Sequence, residues 1–254
     1  VLARRNRPVL MVSKGLQHDR GELCVLTEAF RRALPAELQA GCQPVSICGP
    51  CIAGELARRA PTMVVFTGQE LAIARRFADW LETAYYRIVL HADVVGVQVC
   101  AALKNAYAMG IGFGAGLHQR AQGERGSVAL HNYEAAVFAQ SLVEMQELVL
   151  ALGGGSSTVL GLPGSGDLTV TCNGGRTGRF GALLGQGHAT REAIRLMQGA
   201  TLECLEVLAE LERFSRGRGG RQPEPRRLPL LRHLIDVGLH GAAVDVPFQD
   251  FFPA

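Results

Sequence analysis

Two blocks of different periodicity predict an α/β layer followed by an all-α region. In the first block four short apolar runs, Pro8–Ser13, Pro44–Cys48, Thr62–Thr67 and Tyr86–Leu90, alternate with helical patterns. Strands interleaved with helices in this way build a layered α/β sheet. After Asp93 strand signals nearly vanish and a 3.6-residue apolar rhythm takes over. The boundary is therefore placed at Asp93, with an α/β part over 1–93 and an all-α part over 94–254.

The elements follow in order. PVLMVS reads as a buried strand with Lys14-Gly15 as its exit, and an amphipathic helix is expected over Leu23–Leu34. Gly49-Pro50 breaks the second strand, and helices are expected over Ile52–Arg59 and Glu70–Thr83. The stretch Asp93–Leu117 is almost entirely apolar or small, with Lys104-Asn105 at its centre. Val95, Val99, Ala102 and Ala106 predict a buried helix to about Met109, which glycines 110, 112, 114 and 116 then stop. A lysine there either snorkels to the surface or faces a polar cavity that uses its charge. His131–Leu152 is a strong amphipathic pattern with Ala135, Phe138, Ala139, Leu142, Met145, Val149 and Leu152 on one face. Gly161–Gly181 reads as a Gly-rich polar insertion, and helices are expected at Thr190–Met197, Thr201–Phe214 and Leu230–Leu239. Ser215–Arg227, rich in Gly, Pro and Arg, reads as a solvated linker, and an apolar tail ends in FFPA.

Bulk properties exclude several classes. The 254 residues suffice for a sizeable core, and the net charge of +3 without a basic face argues against nucleic acid. The central Lys-Asn pair argues against a membrane span, and no signal peptide is apparent. Seven scattered cysteines suit reduced, mostly buried thiols in a cytoplasmic protein, and no metal site is assigned. Cys48-Gly49-Pro50-Cys51 has the C-x-x-C spacing of thiol-disulfide oxidoreductases. However, only a short helix separates it from Pro61, too little for a thioredoxin fold, and no Trp precedes Cys48.

Several motifs in series carry a resemblance. SKGL (13–16), GPCIAGELA (49–57), PTMVVF (61–66), GVQVCAALKNAYA (96–108), NYEAAVFAQSLVEM (132–145), SGDLTVTC (165–172), GRTGRFGALLGQG (175–187) and TLEC (201–204) occur in this order. Together they resemble the bacterial-type NAD(P)-dependent glycerol-3-phosphate dehydrogenases. The resemblance implies hydride transfer between NADH or NADPH and dihydroxyacetone phosphate, giving sn-glycerol 3-phosphate for glycerophospholipid synthesis. It implies that 1–93 is the C-terminal half of a Rossmann-like dinucleotide-binding domain and that 94–254 is an all-α substrate domain. A homodimer stays open.

The same resemblance implies residue roles. Lys104 becomes the catalytic lysine: a cation beside the ketone oxygen stabilises the developing alkoxide and supplies a proton, helped by an apolar helix that lowers its pKa. Lys14, Gly49, Cys51, Asp167, Gly175, Arg176 and Thr177 match substrate-binding positions. A hydroxyl residue usually stands where Cys51 is, so its backbone N–H is the better donor. Asp167 also suits a helix N-cap, and the forked guanidinium of Arg176 suits phosphate. Gly175 and Thr177 stand where the family often has Ser and Asn. Lys14, Ala53, Arg176, Thr201 and Glu203 match cofactor-contacting positions, although Glu203 equally suits a first-turn acid on a helix dipole.

One expected motif is missing. No G-x-G-x-x-G occurs, and GIGFGAG has the wrong spacing and follows a helix. The sequence therefore reads as N-terminally truncated, lacking on the order of 90 residues of the sheet, with an exposed apolar sheet edge, poor dinucleotide binding and little activity expected of this chain alone. Two alternatives stay open: a non-catalytic fragment that keeps phosphate binding, and a Cys48–Cys51 thiol-disulfide oxidoreductase.

Overall fold

The protein is described here by a computed structural model covering residues 8–122, 130–173, 175–216 and 224–252. It divides into two compact units, Val1–Ala102 with Val149–Asp167, and Leu103–Leu148 with Leu168–Ala254. This compactness division falls inside a helix, after Ala102.

The first unit opens with β1 (Leu10–Met11), β2 (Leu16–Asp19), β3 (Glu22–Val25), α1 (Leu26–Arg32) and α2 (Ala36–Gln39). β4 (Val45–Cys48), α3 (Ala53–Ala57), β5 (Thr62–Gly68), α4 (Leu71–Leu81) and β6 (Tyr86–His91) follow. The sheet runs β1-β4-β5-β6. β1–β4 and β5–β6 are parallel, whereas β4–β5 is antiparallel with Val45 opposite Gly68. The β4–β5 connection, residues 49–61, holds only the five-residue α3, and the chain returns antiparallel. Val45, Val64, Phe66 and Ile88 form a core with Ala74 and Ala78 of α4. On a second core cluster Cys48 and Val65 meet Val97 and Ala101.

The helix expected over Leu23–Leu34 is half wrong. β2 and β3 pair as a hairpin with Asp19 opposite Glu22, and α1 begins only at Leu26. Arg20 and Gly21 both take positive φ (51° and 85°), which makes the two-residue turn whose twist suits a hairpin. The sequence Arg-Gly is a weak version of that signal.

α5 (Val94–Gln122) runs straight through the glycines expected to stop it. Asp93 starts it: Oδ1 accepts the Gly96 N–H at 2.8 Å, while Oδ2 accepts the Gly155 N–H at 2.9 Å and the Thr158 hydroxyl at 2.6 Å. The first unit then closes with a 3-10 turn at Ser156–Leu160 and a π-helical turn at Leu162–Gly166.

In the second unit lie α6 (His131–Ala151), α7 (Asp167–Cys172), α8 (Arg176–Gly185), α9 (Thr190–Leu196), α10 (Glu203–Arg216) and α11 (Pro229–His240), some of whose ends belong to the first. The α5 glycines are there for close approach. A Cβ on Gly112 would lie 2.4 Å from the Gly178 carbonyl oxygen, and one on Gly116 would lie 2.0 Å from that of Ala182, so α5 and α8 cross backbone to backbone. Each helical glycine costs about 1 kcal/mol of propensity, which this packing offsets. Gly161–Gly181, expected as an insertion, instead holds the π-helical turn, α7 and the start of α8.

The apolar face expected for α6 is rotated. Ala135 and Ala139 are exposed, whereas Val137, Gln140, Ser141, Glu144, Met145, Leu148 and Val149 are buried. The polar members explain the rotation: Glu144 accepts from the Leu230 and Leu231 N–H groups (2.7 and 2.8 Å), the Gln140 amide (2.9 Å) and the Tyr107 hydroxyl (3.1 Å). A carboxylate this well partnered is tolerated where a sequence pattern places only apolar side chains. α5 is long and apolar enough to cross a membrane, but 89% of the qualifying window is buried inside the protein. Of the linker expected over Ser215–Arg227, residues 217–223 lie outside the described residues, and α10 extends to Arg216.

Candidate active site

In the first unit the predicted residues gather around the turn that leads into α7. The π-helical turn Leu162–Gly166 delivers Asp167 with 1% exposure, and the Lys14 ammonium stands 3.5 Å from its Oδ2. Lys14 sits between β1 and β2, in the segment that leaves the sheet. Gly49, at φ +99°, lets the β4 exit fold back beside Leu162, and Pro50 comes within 3.7 Å of where a Gly166 Cβ would be. The Gly-Pro loop and the Asp167 turn are thus packed together. Cys51 and Ala53 are exposed at the start of α3, so neither is tied up in the core.

In the second unit Lys104 lies mid-way along α5, half-buried. Its charge is felt by Cys172: burial pushes that thiol up to about 12, with Glu134 adding to the rise and Lys104 opposing it. Next to Lys104, Asn105 is 7% exposed and its Nδ2 donates to Glu203 Oε2 at 2.8 Å. Glu203 Oε1 faces Arg176 Nη2 at 3.7 Å, with both side chains about half exposed. Arg176 opens α8, and Gly175 is its N-cap. A Cβ on Gly175 would lie 2.5 Å from the Thr171 carbonyl oxygen, so only glycine lets α7 turn this tightly into α8. That accounts for glycine where a serine was expected.

Thr177 is buried and its hydroxyl bonds to the Cys204 thiol, so its side chain serves the core. Cys204 itself is held up at about 12 by burial. Thr201 is exposed just ahead of α10. Asn105 was singled out in the sequence only as a neighbour of Lys104; its link to Glu203, 98 positions away, carries no sequence signal.

The Cys-x-x-Cys pair is not a redox motif. Cys48 lies in strand β4, 1% exposed, packed with Val65, Val97 and Ala101. An attacking or attacked sulfur must be reachable, and only Cys51 is. All seven cysteines are free thiols, four of them buried. Among the described residues no group of three or more His, Cys, Asp or Glu could hold a metal ion.

Comparison with known proteins sets this geometry in a family. The family model described as the NAD-dependent glycerol-3-phosphate dehydrogenase C-terminus matches residues 93–246. The NADP(+)-dependent glycerol-3-phosphate dehydrogenase of Archaeoglobus fulgidus is 34% identical over 212 residues, covering 84% of this chain and 61% of that protein. A glycerol-3-phosphate dehydrogenase [NAD(P)+] of Geobacter sp. (strain M21) is 34% identical over 196 residues, 76% of this chain and 54% of the relative. Among solved structures, the glycerol-3-phosphate dehydrogenase of Coxiella burnetii superposes with a TM-score of 0.73 at 25% identity, over 98% of this chain and 70% of that one. The chain spans about half to three fifths of the length of the curated relatives it matches.

Proposed function

Since the chain belongs to the NAD-dependent glycerol-3-phosphate dehydrogenase family, we propose that it carries the substrate and proton-transfer machinery of that oxidoreductase, acting on dihydroxyacetone phosphate and sn-glycerol 3-phosphate. The observation that carries this reading is the pair of ionic clusters. Lys14–Asp167 and Asn105–Glu203–Arg176 are built from motif residues far apart in sequence, with a half-exposed cation at a helix start and a partly exposed one at a strand exit.

In the reduction, Lys104 Nζ gives a proton to the substrate's ketone oxygen as the alkoxide develops, and takes it back in the reverse direction. Arg176 grips the phosphate by its guanidinium fork. Asp167 holds the Lys14 ammonium and accepts from a substrate hydroxyl, with the backbone of Gly49, Cys51, Gly175 and Thr177 supplying further contacts. An NAD or NADP nicotinamide, when bound, supplies or accepts the hydride. Ala53 and Lys14 of the first unit, and Thr201, Glu203 and Arg176 of the second, are the residues assigned to it by the family resemblance. On this reading residues 1–93 are part of a dinucleotide-binding domain, residues 94–254 are the substrate domain, and the protein works in the cytoplasm on precursors of glycerophospholipids.

The test is NADH and NADPH oxidation with dihydroxyacetone phosphate by this chain and by Lys104→Ala. Whatever turnover the chain shows should fall at least a hundredfold in the variant, from loss of general acid catalysis. Turnover that survives the change would contradict the assignment.

A further inference from the structure

Glu203 faces the guanidinium that the proposed function gives to phosphate, and Asn105 holds Glu203 from the buried side. We propose that Asn105 is a positioning residue: by pinning one oxygen of Glu203 it keeps the Arg176 fork ordered and open for a phosphate dianion. The inference rests on the reading of Arg176 as the phosphate-binding residue.

The geometry supports each step. Asn105 is 7% exposed on a 29-residue helix, so its amide is a fixed point. Its 2.8 Å bond occupies Oε2 of Glu203 and leaves Oε1 toward Arg176 at 3.7 Å. At that separation the carboxylate attracts the guanidinium without closing on it. A closed, bidentate carboxylate–guanidinium pair would occupy the two parallel N–H groups that a phosphate needs. Arg176 is more than half exposed, and a free arginine side chain loses substantial rotamer entropy on binding; a nearby fixed anion removes part of that loss beforehand. Without Asn105 the carboxylate gains the freedom to advance onto Arg176 and compete as an internal anion. Asn105 carries no charge, so its removal tests positioning without changing the local field.

The experiment is titration of inorganic phosphate into the full 254-residue chain, followed by calorimetry and by the 15N signal of the Arg176 Nε–H group. Asn105→Ala should weaken phosphate binding about tenfold, the worth of one charge-assisted hydrogen bond, and should shift and average the Arg176 signal. In a Glu203→Ala background the same change should cost less than twofold. An equal loss in both backgrounds, or no loss in either, would overturn the proposal, because Asn105 would then act on the ligand directly or not at all. If Arg176→Ala binds phosphate as the unaltered chain does, the phosphate-binding reading itself fails and takes this proposal with it. A purely structural role would lower the melting temperature and scatter amide signals across α5, leaving the Asn105–Glu203 coupling at zero.

Discussion

Two buried carboxylates, Asp167 and Glu144, solve the same problem in different ways. Both are about 1% exposed or less, and both stand at the start of a helix, Asp167 at its own α7 and Glu144 at the neighbouring α11. Asp167 is matched by a cation, Lys14, whose side chain is still 24% exposed. Glu144 meets neutral donors, the Tyr107 hydroxyl, the Gln140 amide and the Leu230 and Leu231 N–H groups. A partly exposed cation beside a buried anion can meet a ligand, whereas a carboxylate spent on backbone N–H groups ties α5, α6 and α11 into one core. On the proposed reading the difference separates a residue kept for chemistry from one kept for architecture.

Removing each carboxylate should sharpen that contrast. Glu144→Ala orphans several buried donors at once and should cost about 4 kcal/mol, measured by urea unfolding. Gly116→Ala drives a Cβ into the Ala182 carbonyl and should cost about 3 kcal/mol without touching any ligand residue. A stable Gly116→Ala variant would show that the α5–α8 crossing gives way easily. Asp167→Asn keeps the size of the side chain and should cost about 2 kcal/mol of stability while abolishing most substrate binding.

The pH dependence divides them further. Burial pushes the Glu144 carboxyl up to about 7 from an ordinary value near 4.5, against the pull of its four hydrogen bonds. The native state therefore holds a proton there that the unfolded chain has released. That contribution is full below about 4.5 and is lost as pH rises through about 7, an effect of about 3 kcal/mol. Unfolding free energies compared between the unaltered chain and Glu144→Gln from pH 4.5 to 8 should diverge by that amount; parallel curves would contradict it. At the small end, Arg31 and Arg32 hold the Glu28 carboxyl down at about 2, yet the cluster is a surface one. Glu28→Gln should cost under about 1 kcal/mol, and less in high salt.

The sequence made some of this visible and hid the rest for physical reasons. β5, α4, β6 and α9–α11 stand where periodicity put them; β5 and α11 in particular bury a continuous apolar run or face. The β2–β3 hairpin was hidden because its turn, Arg20-Gly21, is a poor form of the usual signal, and because Leu23 and Val25 also fit a helix. The α5 glycines read as a stop because propensity is local, while the reason for Gly112 and Gly116, the α8 backbone at Gly178 and Ala182, comes much later in the chain. Lys104, Asp167 and Arg176 are singled out by motif order as candidates. The partners that give them geometry, Lys14 for Asp167 and Asn105–Glu203 for Arg176, became explicit only in three dimensions. The rotated face of α6 was hidden because a pattern of apolar residues cannot foresee a buried glutamate satisfied by another helix.

The most direct test of the division between chemistry and architecture is calorimetric binding of sn-glycerol 3-phosphate to the chain and to Asp167→Asn, Arg176→Ala and Glu144→Gln. The expected result is a loss of at least tenfold in the first two and an unchanged Kd in the third, at a temperature where all four are folded. Equal affinity in all four, or a loss confined to Glu144→Gln, would contradict the assignment of the two clusters.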